Sequence, residues 1–275
     1  MIKLAANIDW LWKELPLQER LKAAKSQGFR FVESLNPYAE NIENWQVWLN
    51  EYQLQLVLIN APPGSSASAS VRGLAAWPGR ESEFKDAFSQ AVEYALALER
   101  PIIHATAGPR ISEIDSEQQQ RCYEINLKWA CSLAEKTGIT ITIEPLSPRD
   151  SPGAYMSSLP KALETISNVN CKSLKLQFDL YHQQILHGDI ISNLRLAFDQ
   201  IGHIQVAGVP HRNEPSEGEL NFDRVTRELT TLGYSGFIGC EYKPSSTTEE
   251  GLSRWASGYL SHSRPEEESS EASRQ

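Results

Sequence analysis

Short apolar segments alternate with longer amphipathic segments along the chain, and this alternation repeats about eight times. The amphipathic segments carry apolar residues three or four positions apart, which is typical of helices with one buried face. Strands are predicted at residues 3–8, 29–34, 54–60, 101–106, 139–144, 174–179, 203–207 and 237–241. Helices are predicted at residues 16–27, 42–51, 81–98, 117–136, 159–167, 190–200 and 222–232.

The repeated order of strand and helix predicts a parallel sheet with right-handed crossovers. Eight repeats within 275 residues favour an α/β fold of the closed (β/α)8 TIM barrel type, which takes about 250 residues. We therefore expect one barrel domain over residues 1–260. A doubly wound open sheet is the alternative, but it would require a glycine-rich phosphate loop after the first strand, and the sequence has none there.

Two segments depart from the repeat. Residues 61–80 are a long run of small residues after the third predicted strand, at the end of a barrel where active-site loops lie. Trp77 in this run is a candidate either for shielding a pocket from water or for the core. Residues 261–275 are rich in Ser and Glu and hold almost no apolar residues, so we predict a disordered acidic tail without a catalytic role.

The charge and composition exclude several classes of partner. The chain carries 26 Lys and Arg against 35 Asp and Glu, a net charge of −9, whereas proteins that bind nucleic acid or anionic membranes rely on basic residues. No apolar run approaches the roughly 18 residues of a membrane span, and the N-terminus lacks a secretion signal, which favours a cytoplasmic protein. The four cysteines form no CxxC pair and are expected to be reduced and buried. A homo-oligomer is left open.

The last four predicted strands end in polar residues that share one parity: Glu144, Asp179, Gln205 and Glu241. Side chains along a strand alternate between two faces, and the apolar parity should face the helices. The four polar side chains are therefore predicted to point into the barrel at the carboxyl ends of the strands, where TIM-barrel enzymes keep their catalytic residues.

Three carboxylates at one barrel mouth would raise one another's pKa values unless a cation lay among them. The four side chains offer hard oxygen ligands and no thiolate, which favours Mg²⁺ or Mn²⁺ over Zn²⁺ or Co²⁺. For any single carboxylate, the alternative is a helix cap or a solvated charge. Four in phase on consecutive strands favour a divalent metal site.

Such a site suits proton transfer next to a carbonyl group. A divalent ion held by oxygens can chelate an α-hydroxycarbonyl compound and stabilise the enediolate that forms when a carbon-bound proton leaves. Glu144 and Glu241 could flank this substrate, one removing a proton and the other returning one to the neighbouring carbon. The sequence has no GxSxG, P-loop or HExxH motif, so acyl transfer, ATP use and zincin chemistry have no support.

Eight stretches across nearly the whole chain match one protein family: VESLNPY (32–38), LVLINAPPG (56–64), GLAAWPGR (73–80), IEPLSP (143–148), QFDLYH (177–182), HIQVAGVPHRNEP (203–215), GELNF (218–222) and GYSGFIGCEYKP (233–244). With these stretches in this order, the sequence resembles the hydroxypyruvate isomerase family. That family lies within the xylose isomerase-like TIM barrels, which also include the ketose 3-epimerases.

The resemblance implies that Glu144, Asp179, Gln205 and Glu241 bind the metal and that Glu144 and Glu241 are the catalytic acid/base pair. The implied reaction converts hydroxypyruvate to 2-hydroxy-3-oxopropanoate (tartronate semialdehyde). Ketose epimerases of the wider group carry histidine where this chain has Gln205, which favours the isomerase branch.

Further residues are candidates for substrate binding. His182 follows the sixth strand and could hydrogen-bond a substrate oxygen, although a loop histidine bonded to the backbone is the alternative. His104 on the fourth strand is a second candidate, and Asn7 and Asn60 could line the barrel mouth.

A small-molecule hydroxy-oxo acid substrate would also need a cation for its carboxylate. Arg212, Lys243 or Arg80 could supply one, and a bidentate contact would favour arginine. Each of the three could instead be an ordinary surface charge.

Other functions remain as alternatives. A 2-oxo-tetronate isomerase or a ketose 3-epimerase would use closely similar chemistry on a longer substrate. A metal-dependent hydrolase of the endonuclease IV-like type would require a histidine-rich cluster of several metals and a basic groove. A non-catalytic barrel is the third alternative, since fold does not determine function.

Overall fold

The structure is a computed structural model that describes residues 2–64 and 73–260. Eight parallel strands close into a barrel in which each strand pairs with the next and the eighth pairs with the first. This closure confirms the TIM barrel and excludes the open doubly wound sheet. The strands are β1 (Lys3–Asn7), β2 (Phe31–Ser34), β3 (Gln55–Asn60), β4 (Ile102–His104), β5 (Ile141–Ile143), β6 (Leu174–Asp179), β7 (Ile201–Val206) and β8 (Phe237–Cys240).

Helices surround the barrel and follow the predicted order with three additions. They are α1 (Leu17–Ser26), α2 (Ile42–Glu51), α3 (Glu81–Ala97), α4 (Ser116–Thr137), α5 (Leu159–Val169), α6 (Leu180–Leu186), α7 (Ile190–Ala197), α8 (Phe222–Thr231), α9 (Thr248–Trp255) and α10 (Ser257–Leu260). The sequence pattern missed α6, α9 and α10. With seven and four residues, α6 and α10 are too short to display a helical period.

Local side-chain chemistry fixes several helix ends. Asn41 and Asp115 accept hydrogen bonds from backbone N–H groups at the starts of α2 and α4. Gly138 ends α4 in the left-handed conformation, with φ of 70°, which glycine adopts without steric cost. The caps thus fix the start of α2 and both ends of α4, which precedes β5.

The predicted parity of the last four strands is confirmed. Ile141, Ile143, Leu176, Ile204 and Ile238 are buried in the core. The opposite parity fills the barrel interior with polar groups, as the hydrogen bond from Thr142 to Gln177 in the next strand shows. β5 and β8 are shorter than predicted, so that Glu144 and Glu241 follow directly after the last paired residues.

The four cysteines are free thiols, as predicted. Cys122, Cys131 and Cys240 are buried, but the prediction of burial is wrong for Cys171. That residue lies in the turn between α5 and β6, where solvent reaches it. No helix in the described residues combines the length and apolarity that crossing a membrane requires.

Part of the long loop and the whole predicted tail, residues 65–72 and 261–275, lie outside the described residues. Trp77 is half-buried against the core, and the guanidinium of Arg80 stacks 4.5 Å from its ring centroid. Trp77 therefore packs against the core, which is one of the two roles expected for it.

Candidate active site

A cavity of about 490 Å³ opens at the carboxyl ends of the strands. Its wall includes Glu144 and Glu241 after β5 and β8, His104 at the end of β4, and Asn60 at the end of β3. The volume lies in the range of small-molecule sites. The strand ends therefore bring the two predicted acid/base residues into one cavity.

Asp179, at the end of β6, has one carboxylate oxygen without a hydrogen-bond partner. Its Oδ1 accepts a hydrogen bond of 2.8 Å from the backbone N–H of Tyr181 and so caps α6. Its Oδ2 is buried and has no hydrogen-bond partner, although it lies 3.6 Å from Nε2 of His182 and 3.7 Å from Nη2 of Arg212. A buried carboxylate oxygen without a donor is costly unless a ligand or cation completes its shell.

Gln177 joins two of the predicted metal ligands. Its Nε2 donates to Oε2 of Glu144 at 3.1 Å and to Oε1 of Gln205 at 2.7 Å. Oε1 of Gln177 accepts from Thr142, which fixes the direction of the amide. The oxygens of Glu144, after β5, and of Gln205, on β7, therefore face the same nitrogen of Gln177 on β6, the strand between them.

Arg212 lies among the carboxylates. Its Nη2 donates to Oε1 of Glu241 at 2.7 Å, and its guanidinium stacks on Trp10 and Tyr181 at 4.5 and 5.1 Å from the ring centroids. The sequence predicted that a metal ion would balance the negative charge of these carboxylates. In the structure, the guanidinium of Arg212 balances part of it. Arg212 was predicted to bind a substrate carboxylate, but its guanidinium faces carboxylates of the protein, and its buried Nε has no hydrogen-bond partner.

Burial and mutual repulsion perturb the acidic residues. Burial, followed by the charges of Asp179 and Glu241, raises the pKa of Glu144 well above its ordinary value. Burial also raises the pKa of Glu241, against the opposing effect of Arg212, and burial raises the pKa of Asp179. The pKa of Glu241, raised to about 8, allows this carboxyl group to exchange protons near neutral pH.

His182 is neutral, and its tautomer is set by the backbone. Burial, together with the charge of Arg212, lowers its pKa to about 3. The backbone N–H of Ser147 donates to Nδ1 at 3.2 Å, so Nδ1 carries a lone pair and the ring proton is on Nε2. The bond to the backbone is the one that the alternative for His182 predicted. His182 also lines the cavity with an N–H donor at Nε2, and its contact with a substrate oxygen stays a prediction.

The residues fit a divalent cation. Glu144, Asp179 and His182 each place one ligand-type atom within 4.8 Å of the others. Because Nε2 of His182 carries a proton, the oxygens of Glu144 and Asp179 are the better ligands of this group. The unpartnered Oδ2 of Asp179 is the atom that a cation would complete.

Of the remaining predicted residues, His104 lines the cavity, whereas Asn7, Lys243 and Arg80 are not among the residues of its wall. His104 lines the cavity with Nδ1 3.7 Å from Oε2 of Glu144, and burial lowers its pKa to about 3. Asn7 is fully buried and donates to Glu33 at 3.2 Å. Lys243 is exposed, and Arg80 pairs with Glu83.

Sequence reasoning missed Glu33, Gln177, Trp10 and Lys13. Gln177 shares the inward parity of Asp179, and Glu33 is flanked in β2 by the core residue Val32. The parity argument applied to β2 as well as to the last four strands would have identified Glu33. Trp10 and Lys13 follow β1 and line the cavity, where no strand pattern exists to point to them.

A barrel with an acid-rich, oxygen-ligand site at the carboxyl ends of its strands defines a TIM-barrel enzyme. Comparison with known proteins shows to which family of TIM-barrel enzymes the chain belongs. The model of the xylose isomerase-like TIM barrel family matches residues 21–260. The 2-oxo-tetronate isomerase of Cupriavidus necator is 40% identical over 260 residues, covering 94% of this chain and 99% of that protein. The hydroxypyruvate isomerase of Escherichia coli strain K12 is 38% identical over 259 residues, covering 94% of this chain and all (100%) of that protein.

A solved structure described as an AP endonuclease, family 2, from Brucella melitensis is also similar. It superimposes with a TM-score of 0.90 at 37% identity, covering 93% of this chain and 98% of that one. The chain therefore belongs to the xylose isomerase-like TIM barrel family, among the hydroxypyruvate and 2-oxo-tetronate isomerases, and it is an enzyme of the isomerase class.

Proposed function

We propose that the enzyme interconverts hydroxypyruvate and 2-hydroxy-3-oxopropanoate by proton transfer between neighbouring carbons. The observation that carries this proposal is that Glu144 and Glu241 share one cavity and both have raised pKa values. The relatives at 38 to 40% identity, named for this reaction and for the isomerisation of a 2-oxo-tetronate, support it.

The reaction moves one proton on carbon and one on oxygen. One glutamate takes a proton from the hydroxymethyl carbon, and the electron pair forms a carbon–carbon double bond to the former carbonyl carbon. The other glutamate gives a proton to that second carbon, and the first hydroxyl becomes the aldehyde as its proton passes to the former carbonyl oxygen. No electrons leave the substrate, so no redox cofactor is needed.

The metal ligands in this proposal are Glu144, Asp179, Gln205 and Glu241. Mg²⁺ or Mn²⁺ suits these oxygens, and when bound it would offset the negative charge that gathers on the substrate oxygens. Arg212 donates to Oε1 of Glu241, so a metal bound by this carboxylate would have to share it with the guanidinium or displace the guanidinium.

Lys13 is the cation that we assign to the substrate carboxylate. The two lysine or arginine residues that line the cavity among the described residues are Lys13 and Arg212. Arg212 lies within 4 Å of carboxylate oxygens of Asp150, Asp179 and Glu241, so its charge is already balanced. Lys13 is exposed at the cavity wall and can meet an anion there.

A four-carbon 2-oxo acid is the second candidate substrate, because a relative at 40% identity is named for it and the cavity is wide enough for either acid. The hydrolase alternative has less support. The described residues contain one candidate metal cluster, with a single histidine, whereas that chemistry needs a histidine-rich group of metals.

The decisive experiment follows deuterium exchange by proton NMR. Purified protein with Mg²⁺ or Mn²⁺ should exchange the hydroxymethyl protons of hydroxypyruvate in deuterated water, and Glu241→Gln should abolish the exchange. Glu214→Gln removes another buried carboxylate, outside the cavity wall, and should retain it. A wild-type protein that exchanges only a 2-oxo-tetronate would move the assignment to the longer substrate, and no exchange with either acid would refute the proposal.

A further inference from the structure

We infer that Glu33 is a positioning residue that determines which end of the Gln205 amide faces the candidate metal ligands. The inference rests on the proposed metal site and concerns a residue beneath it. Glu33 is fully buried on β2 in the barrel interior, and it is not among the residues that line the cavity. A carboxylate in this position needs donors from several strands to be tolerated.

Three side chains supply those donors. Asn7 on β1 donates from Nδ2 to Oε2 of Glu33 at 3.2 Å, and Gln205 on β7 donates from Nε2 to the same oxygen at 3.0 Å. Nε2 of His203, also on β7, contacts Oε1. Glu33 therefore connects strands on both sides of the point where the barrel closes.

The neighbouring β8 strand leaves space for this carboxylate. Gly239 lies on the inward parity of β8, and a Cβ atom added there would overlap the Glu33 carboxylate. Glycine at this position therefore leaves room for the end of the Glu33 side chain. The space that it provides lets Glu33 reach across the barrel to β7.

The chemistry of a carboxylate then fixes the Gln205 amide. An ionised carboxylate only accepts hydrogen bonds, so Gln205 must turn its nitrogen towards Glu33. Its carbonyl oxygen is left on the opposite side, where it accepts from Gln177 beside Glu144. With the amide reversed, Gln205 would present a donor to the metal ligands, and a donor cannot bind a cation.

A double-mutant cycle with Mn²⁺ as the probe tests this role. Binding is measured by calorimetry or by the electron paramagnetic resonance of free Mn²⁺, and melting temperatures in EDTA establish that each variant folds. Glu33→Gln removes the acceptor-only group, and we expect the Mn²⁺ Kd to rise about 10-fold or more, as happens when a residue that orients a ligand is lost. Gln205→Glu alone places two carboxylates together and should also weaken binding.

The double variant carrying both substitutions separates positioning from a general effect of charge or stability. A glutamate at 205 offers oxygen at both ends and needs no orientation, and a glutamine at 33 can donate to it. We expect Mn²⁺ affinity to return to within a few-fold of the wild type. Losses that multiply in the double variant would overturn the inference.

Two controls complete the design. Glu214→Gln neutralises another fully buried carboxylate, one that accepts from the backbone of Ser245, and should lower stability without changing the Mn²⁺ Kd. Glu33→Asp keeps the acceptor-only group and should bind Mn²⁺ more tightly than Glu33→Gln, so it replaces that variant if Glu33→Gln does not fold. An Asp variant that binds no better than the Gln variant would count against the inference. Failure of the wild type to bind Mn²⁺ would instead refute the metal site of the proposed function.

Discussion

Nη2 of Arg212 lies 2.7 Å from Oε1 of Glu241, inside a cavity where burial raises the pKa of that glutamate. The guanidinium favours the ionised carboxylate and so opposes the effect of burial. Burial and the charge of Arg212 are thus the two largest influences on the proton affinity of this proposed catalytic glutamate, and they act in opposite directions.

Removal of Arg212 should raise the pKa of Glu241 further. If Glu241 acts as the base, it must be ionised, so the acidic limb of the kcat/KM profile should move to higher pH in Arg212→Met, by about 1 to 3 pH units. The measurement is kcat/KM for hydroxypyruvate across pH. Arg254→Met, which removes an arginine 47% exposed at its side chain, is the control and should leave the profile unchanged. An unshifted limb in Arg212→Met would show that the guanidinium does not tune the reacting group.

His182 should affect substrate rather than metal, because its Nε2 carries the proton. In His182→Gln, we expect kcat/KM to fall roughly tenfold, the value of about one net hydrogen bond, and the Mn²⁺ Kd to stay within a few-fold of the wild type. Asp179→Asn is the comparison and should weaken Mn²⁺ binding strongly. Equal losses of Mn²⁺ affinity in the two variants would make His182 a ligand.

Lys13 should determine affinity for an anionic substrate. In Lys13→Met, the KM for hydroxypyruvate should rise about tenfold with little change in kcat, since the lysine is proposed to bind the carboxylate, whose own bonds do not change in the reaction. Lys22→Met, on the outer surface of α1, provides the matched control. If steady-state kinetics show an unchanged KM in Lys13→Met, Arg212 would be the residue assigned to the substrate carboxylate.

Metal affinity should increase with pH. Glu144 and Glu241 have raised pKa values without metal, so protons occupy these carboxylates below their folded pKa values and must leave when a cation binds. The Mn²⁺ Kd should therefore fall between pH 6 and pH 8, by up to about tenfold per pH unit for each proton displaced. Calorimetry in buffers of different ionisation enthalpy would count the protons released. A Kd independent of pH would contradict the raised pKa values.

A side chain at position 239 should destabilise the protein. A methyl group there would collide with the Glu33 carboxylate, and we expect Gly239→Ala to cost about 1 to 3 kcal/mol, which thermal or urea unfolding would measure. Gly258→Ala is the control, because an added Cβ there meets nothing within 4 Å. Similar stabilities for the two variants would mean that Glu33 can move aside without loss.

The pattern of apolar and polar residues was sufficient to predict the barrel and, for its last four strands, which side chains face the interior. Strand parity is a local property, and Glu144, Asp179, Gln205 and Glu241 could be assigned to one end of the barrel interior from the alternation and from their places at the carboxyl ends of the predicted strands. Short helices such as α6 could not be predicted, because seven residues do not display a helical period.

Which inward groups touch one another was decided only by the tertiary structure. Gln205 and Glu33 are 172 positions apart, and nothing in either neighbourhood indicates that one amide and one carboxylate meet. The proton position on His182 likewise depends on a backbone N–H 35 residues away. Alternation along a strand is encoded by adjacent residues, whereas hydrogen-bond partners, tautomers and pKa values depend on atoms that closure of the barrel brings together.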